Sequence, residues 1–418
     1  MAGRVQTPGG IIPFSNSFWQ DLPRGYCLII SVLPCAFRLE CDSHMNFLTR
    51  RRVLTAAASA LPFIRLSAEE KAAAPWLTKL EAIRVKHELP GLGGAIVTSA
   101  GIRSSAVCGV RKAGTDIAVM PDDLWHLGSN TKAMTSTLAA IAVEAGKLKW
   151  DSTLGEIFPK QKDLKTSPLA KATLTQLLSH WSGLPANAMW VLIKFAGGDL
   201  RHQRETALQL AARTPDLPAP GKQHLYSNWG YALAGHMLEE VWDAPWEELM
   251  KQHVFAPLGI TRAGFGGTGT LGKIDQPWPH NPDGKPTATN GPDMDNAAVL
   301  GPAGTIHMPL SDWSKFIAEH LAGRAGKGKL LKTTASYEHL HTATQAGVPY
   351  AFGWLALERP WGGHVLSHNG SNTMNHSVAW LAPEKDFAVI ACTNSGSDRA
   401  AKALDDVAGL LIQEHRAK

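Results

Sequence analysis

Cysteine is scarce in this 418-residue chain: of five, Cys27, Cys35 and Cys41 fall in the first 44 residues, leaving only Cys108 and Cys392 beyond them. Two cysteines so far apart make neither a disulfide framework nor a metal-ligating cluster. Free thiols are expected, with one bridge open to them only if their strands are neighbours. Excess charge is missing as well. The formal net charge is +5, and most of it sits in one short segment, so the rest is too neutral to grip nucleic acid through its phosphates. No apolar run approaches the roughly eighteen residues of a membrane-spanning helix. The chain has no G-x-S-x-G elbow and no H-E-x-x-H pair. Gly264 to Gly269 fits G-x-G-x-x-G, but Pro277 and Pro279 follow and no helix opens there. Gly323 to Lys329 nearly makes a phosphate loop, yet Leu330 stands where a hydroxyl is needed. No cofactor and no metal is implied.

The concentrated charge lies in residues 45–68, which hold Arg50, Arg51, Arg52 and Arg65 without an acid. A charged start, a short run of apolar and small residues and a small-residue exit describe an export signal, and Thr49-Arg50-Arg51-x-Val53-Leu54 resembles the twin-arginine type. On this reading Met45 is the true start, residues 1–44 are a mis-called or non-native extension, and residues 69–418 form the mature domain. The expected compartment is the periplasm or the exterior.

In the mature chain a helix is expected over 70–88, then strands at Gly91–Thr98 and Arg103–Val110 joined by Ser99-Ala100-Gly101. Helical segments follow at 131–145, 173–180, 203–213, 228–242, 246–253 and 310–322. Strand patterns return at Ala351–Glu358, His364–Ser367, Ser377–Leu381 and Phe387–Cys392, and a helix closes the chain at 398–416. Strands at both ends exclude a regular βαβ alternation. The fold class is α+β: an antiparallel sheet built from N- and C-terminal strands, flanked by helices, with a mostly helical lobe inserted at about 140–345. The Gly- and Pro-rich stretch 264–305 reads as a long surface connection.

Three short strings carry chemistry. Ser129 and Lys132 are one turn apart at the start of a helix, so they share a face, and the helix N-terminus supplies positive potential and free N–H groups. A desolvated lysine there can take the serine proton, which is what an activated nucleophile requires. Alone, such a pair is more often a capping serine with a surface lysine. Tyr226-Ser227-Asn228 offers a phenol that can handle protons and an amide that can orient a carbonyl. His368-Asn369-Gly370-Ser371 lies beside a strand of small residues, where the Ser371 N–H can pair with that of Ser129 as oxyanion donors.

The order Ser-x-x-Lys, Tyr-x-Asn, His-x-Gly resembles the serine β-lactamase and penicillin-binding-protein superfamily. The likeness is strongest to the class C β-lactamase-like branch, which includes family VIII carboxylesterases and D-stereospecific peptidases. Supporting strings are Trp125-His-Leu-Gly-Ser129, Thr173 to Pro185, Pro220 to Tyr231, Pro302-Ala-Gly-Thr305 and Trp380 to Phe387. The resemblance implies a β-lactamase/transpeptidase-like fold. It makes Ser129 the acylated nucleophile, Lys132 and Tyr226 the proton-handling pair and Asn228 the substrate-orienting amide, with His368, Gly370 and Ser371 lining the substrate. Which of Lys132 and Tyr226 is the formal base stays open, because the two titrate as a coupled pair.

One departure from that branch bears on substrate. Its β-lactamases carry lysine where His368 stands, and histidine is mostly neutral at pH 7. The expectation is therefore a serine hydrolase of carboxylic esters with short-to-medium acyl chains. The alternatives are a β-lactamase, a D-stereospecific peptidase or amidase, and a penicillin-binding protein that acylates without turnover. The partner is a small-molecule ester or amide, with no nucleic acid and no membrane span. The sequence leaves the oligomeric state open. Trp181, Trp190 and Trp229 suggest an aromatic acyl pocket, and His180 is read as structural.

Overall fold

The computed structural model describes residues 74–417. The expected extension and export segment therefore lie outside the described residues. Strands are β1 Gly91–Thr98, β2 Gly101–Gly109, β3 Trp125–His126, β4 Gly264–Phe265, β5 Ile306–Met308, β6 Leu355–Arg359, β7 Gly363–Ser371, β8 His376–Ala382 and β9 Phe387–Thr393. Helices in the first half are α1 Leu77–Lys86, α2 Thr131–Glu144, α3 Leu154–Ile157, α4 Lys162–Thr166, α5 Leu174–Leu178, α6 Trp190–Phe195 and α7 Leu200–Arg213. The second half adds α8 Asn228–Trp242, α9 Trp246–Met250, α10 Ala256–Leu258, α11 Gly301–Gly304, α12 Leu310–Arg324, α13 Thr334–His341 and α14 Asp398–Arg416.

The sheet assembled from both ends of the domain is present. Its order is β2-β1-β9-β8-β7-β6, and each neighbouring pair is antiparallel. Both faces of its centre are covered, so side chains of alternating parity enter different cores. Leu92 and Ile96 of β1, with Val389 and Ala391 of β9, pack under α1 and α14. Ala95, Val97, Ile390 and Cys392 face the larger core shared with α2 and α12. Helix α14 buries Ala400, Ala403, Leu404, Val407, Ala408 and Leu411, an apolar stripe at helical spacing. Helix α2 has no polar face to spare: Lys132, Thr135, Ser136 and Thr137 are buried with its alanines. It runs through the interior and carries Ser129 at its entrance.

Cys108 pairs with Leu92 and Cys392 with Gly93, so β1 lies between their strands. Both thiols are free. Burial raises the pKa of each, that of Cys108 to about 12.

Two sequence expectations need correction. The strand expected from Ala351 begins only at Leu355, because Gly353 adopts φ +83° and Ala351 N–H closes a turn on the Trp354 carbonyl at 2.8 Å. A Cβ at Gly353 would lie 2.4 Å from the Ala133 nitrogen, so this turn is pressed against α2. The stretch 264–305 is not a surface connection either. It contributes β4 and α11, and it buries Trp278, His280 and Asn290. His280 Nδ1 reaches the Asn394 carbonyl at 2.7 Å, a tertiary bond that local composition does not encode. The small sheet β3-β5-β4 went unread because its strands are two or three residues long.

Candidate active site

Ser129 sits on a single 3-10 turn, Gly128–Asn130, that leads into α2. Unlike its neighbours Gly128 and Asn130 it is only partly buried. Gly128 has φ +50°, and a Cβ there would stand 2.3 Å from the Ser371 nitrogen. Gly370 is equally constrained: its Cβ would meet the Leu127 carbonyl oxygen at 1.9 Å. Glycine at both positions lets the serine turn lie directly on the end of β7. Residues the sequence reading did not single out fasten it there. Ser377 donates to the Leu127 carbonyl at 2.7 Å and accepts from Asn130 Nδ2 at 2.8 Å. Gly128 N–H donates to His126 Nδ1 at 3.1 Å, which leaves His126 Nε2–H to donate to Asp295 at 2.8 Å. Asp295 also accepts from Asn372 Nδ2, so it ties the turn to the chain just past β7.

The expected residues converge. Lys132 Nζ is 3.1 Å from Ser129 Oγ, 2.7 Å from Asn228 Oδ1 and 2.9 Å from the Ala303 carbonyl oxygen. None of these partners is charged. The lysine is fully buried, and desolvation drives its pKa well below the usual amine value. A neutral amine has two N–H groups and one lone pair. Asn228 and Ala303 take the N–H groups, and the lone pair is left for the serine O–H. Tyr226 stands beside the same amine, with Lys132 Nζ 4.8 Å from its ring centroid. Burial raises the Tyr226 pKa, so the phenol holds its proton.

Asn228 is positioned by the start of α8. Ser227 caps that helix, accepting from Gly230 N–H and donating to the Pro185 carbonyl. The Asn228 amide is oriented from both ends: Oδ1 accepts from Lys132, and Nδ2 donates to Asn187 Oδ1 at 3.0 Å. His180, read as structural, holds the backbone of this motif. Its carbonyl accepts Leu225 N–H at 2.8 Å, its Nδ1 accepts Ser227 N–H at 3.0 Å, and its ring lies 4.3 Å from that of Tyr226.

His368 is on β7 itself, buried, with its pKa lowered to about 3 by burial and then by Lys132. It is neutral at physiological pH. Of the three tryptophans expected to form an aromatic pocket, Trp181 stands edge-on to His224 at 5.5 Å. Trp229 is core, its indole N–H bonded to the Ala207 carbonyl, and Trp190 meets it edge-on at 6.1 Å. Exposed apolar side chains cluster at Met189, Val191, Leu192 and Phe195 on and before α6, with Phe195 83% exposed. This segment is tethered by Asn187, which joins Asn228 to Trp190 Nε1. Among the described residues no group of three or more His, Cys, Asp or Glu is arranged to hold a metal ion. None of their helices is long and apolar enough to cross a membrane.

A hydroxyl beside a desolvated amine and a phenol, at the entrance of a buried helix, is equipped for nucleophilic attack on a carbonyl. Known proteins share the frame. Penicillin-binding protein 4 of Amycolatopsis lactamdurans is 25% identical over 369 residues, 82% of this chain and 92% of the relative. A class C β-lactamase from Rhodobacter sphaeroides superposes with a TM-score of 0.64 at 20% identity, covering 82% of this chain and 99% of that one. D-alanine carboxypeptidase AmpC from Burkholderia cenocepacia gives 0.64 at 20% identity over 80% and 97%. The beta-lactamase family model matches residues 71–413. That match takes in the whole sheet, α2 and every residue of the site just described, and it settles kinship: the chain belongs to the beta-lactamase family of serine hydrolases.

Proposed function

We propose that this protein hydrolyses uncharged carboxylic esters through a Ser129 acyl-enzyme. Ser129 Oγ bonds to the ester carbonyl carbon as its proton passes to Lys132 Nζ. The N–H groups of Ser129 and Ser371 receive the oxyanion. The C–O bond to the alcohol then breaks as Tyr226 gives its hydroxyl proton to the departing oxygen, and the proton held by Lys132 Nζ passes to the Tyr226 oxygen, which restores both groups. A water repeats the sequence on the acyl-serine and releases the acid. Lys132 is the base in this scheme. Its lowered pKa makes the amine available, whereas the raised pKa of Tyr226 suits a proton donor.

The observation that carries the ester reading is the neutral His368. A buried imidazole with a pKa near 3 offers no fixed charge to a substrate carboxylate. The exposed apolar side chains around α6 support an acyl chain of short-to-medium length. A second reading has the relatives' names behind it, a penicillin-binding protein and a D-alanine carboxypeptidase. It requires a β-lactam or D-alanyl peptide, each with a carboxylate that this site would leave without a cation. The arginine-rich segment at 50–52 supports export to the periplasm as the compartment.

The test is parallel turnover of p-nitrophenyl butyrate and a chromogenic cephalosporin by the protein and by Ser129→Ala. Fast ester cleavage with little cephalosporin cleavage, both lost in the variant, is the expected result. The reverse ranking hands the assignment to the β-lactamase reading. Activity that survives Ser129→Ala removes the nucleophile.

A further inference from the structure

The third motif is closed by a residue that belongs to none of the three. His368 Nδ1 lies 2.7 Å from the Asn369 carbonyl oxygen. A carbonyl only accepts, so Nδ1 carries the ring proton. In the neutral ring Nε2 is then a lone pair, and the Tyr350 hydroxyl, 3.1 Å away, donates to it. Both nitrogens are used by the protein, and neither has an N–H to spare for substrate.

Tyr350 is itself fixed. It lies in the segment between α13 and β6 and is buried. Its ring is 4.4 Å from that of His180 and edge-on to His368 at 5.9 Å. The titratable groups packed around His368 are Lys132 from α2, Tyr226 beside α8, and His180 and Tyr350 through the same aromatic cluster. No carboxylate is among them, so nothing draws a proton onto the imidazole. The strand bearing His368 also ends at Ser371, against the Ser129 turn. A substrate lying along this edge passes the imidazole next to its scissile bond.

We propose that Tyr350 is a specificity-determining residue: by occupying His368 Nε2 it keeps the imidazole of the third motif without a free N–H and excludes substrates bearing a carboxylate beside the scissile bond. The proposal rests on the ester reading above and names its chemical boundary. Without the hydroxyl, Nε2 is buried with no partner. The ring then gains by taking a proton or by turning toward an incoming carboxylate.

The experiment compares kcat/KM for phenyl butyrate, 3-carboxyphenyl butyrate and phenyl hydrogen succinate, which place a carboxylate on neither side, the leaving-group side and the acyl side. The enzymes are the wild type, Tyr350→Phe, His368→Gln and the double variant. The wild type is expected to favour the neutral ester by more than about tenfold, and Tyr350→Phe to narrow one of the two ratios by about threefold to tenfold. In the His368→Gln background the tyrosine substitution should change neither ratio, because its effect travels through the imidazole. Ratios that stay put in Tyr350→Phe, or that move equally with and without His368, overturn the proposal. Nitrogen NMR of the histidines in Ser129→Ala gives a readout independent of turnover. Nδ1 protonated and Nε2 bare is expected for His368, and the opposite tautomer overturns the assignment. Failure of the ester reading would appear separately, as an inability of the wild type to cleave phenyl butyrate.

Discussion

Lys132 on α2 and Arg204 on α7 are both fully buried, yet only the arginine has counter-ions. Arg204 pairs with Glu239 and with Glu247, and its Nε donates to the Val299 carbonyl at 3.2 Å. Glu239 also bonds His236 and the Trp246 N–H. Burial acts to discharge the guanidinium, but Glu247 and Glu239 outweigh it and raise its pKa. Around Lys132 the ligands are a hydroxyl, an amide oxygen and a carbonyl, so burial acts unopposed and the amine is discharged. Depth is the same in both places. What differs is whether a carboxylate came along, and that separates a fixed charge that joins α7, α8 and α9 from a base that can exchange a proton.

Substituting each by methionine should pull the two apart. Lys132→Met is expected to lower kcat by about a thousandfold or more. Because the partners it leaves are neutral, the Asn228 amide oxygen and the Ala303 carbonyl, stability should fall by only about 1–2 kcal/mol. Arg204→Met leaves two carboxylates in the interior without a cation and should cost about 3–5 kcal/mol, with kcat per folded molecule unchanged. Urea unfolding and titration of reactive serine with a slow ester check both. A stable but silent Arg204→Met would place that cluster inside the mechanism, and a badly destabilised Lys132→Met would make the lysine structural.

The contrast can be sharpened by giving Lys132 the counter-ion it lacks. In the wild type the amine pKa is depressed, so activity should be lost only as pH falls through that low value and be retained above it. Asn228→Asp puts a carboxylate in place of the amide 2.7 Å from Nζ. This raises the amine pKa and moves the acid limb of the kcat profile to higher pH, with about a tenfold loss at neutral pH for each unit moved. A profile that stays in place would mean that Lys132 is not the group titrating.

Neither buried side chain announces its charge state in the sequence. Arg204 stands in a charged helix, Leu200–Arg213, that reads as a surface element until Glu239 and Glu247 arrive from other helices. Lys132 was legible because Ser129 precedes it by one turn, and the start of α8 at Asn228 because Ser227 caps it. The sheet was legible from the strand runs at both ends of the domain. Tyr350 was not: it stands just before the strand expected over Ala351–Glu358, and its bond to His368 spans eighteen residues of chain and a change of direction at Gly353. Asp295 and Ser377 were missed for the same reason, since each acts across the fold on a turn it does not adjoin.

His180 lies between the two cases, buried beside Lys132 and uncharged. Burial first, and then the neighbouring Lys132, keep its pKa well below the usual histidine value. Its Nδ1 accepts from Ser227 N–H, so the ring proton is on Nε2, which has no partner. It holds this place at φ +66°, a left-handed conformation that asparagine tolerates and branched residues resist. The acceptor, rather than the ring, should therefore be what the Tyr226-Ser227-Asn228 backbone needs. His180→Leu removes the acceptor and should cut kcat by about threefold to fivefold, about 1 kcal/mol, while KM stays level. His180→Asn retains a carbonyl oxygen near the Nδ1 position and should keep most of that rate despite losing the ring contact with Tyr226. Steady-state kinetics on p-nitrophenyl butyrate would decide. Equal losses in the two variants would assign the residue to packing alone. A rate kept by asparagine and lost by leucine would show that a neutral acceptor in the interior positions the motif facing Lys132.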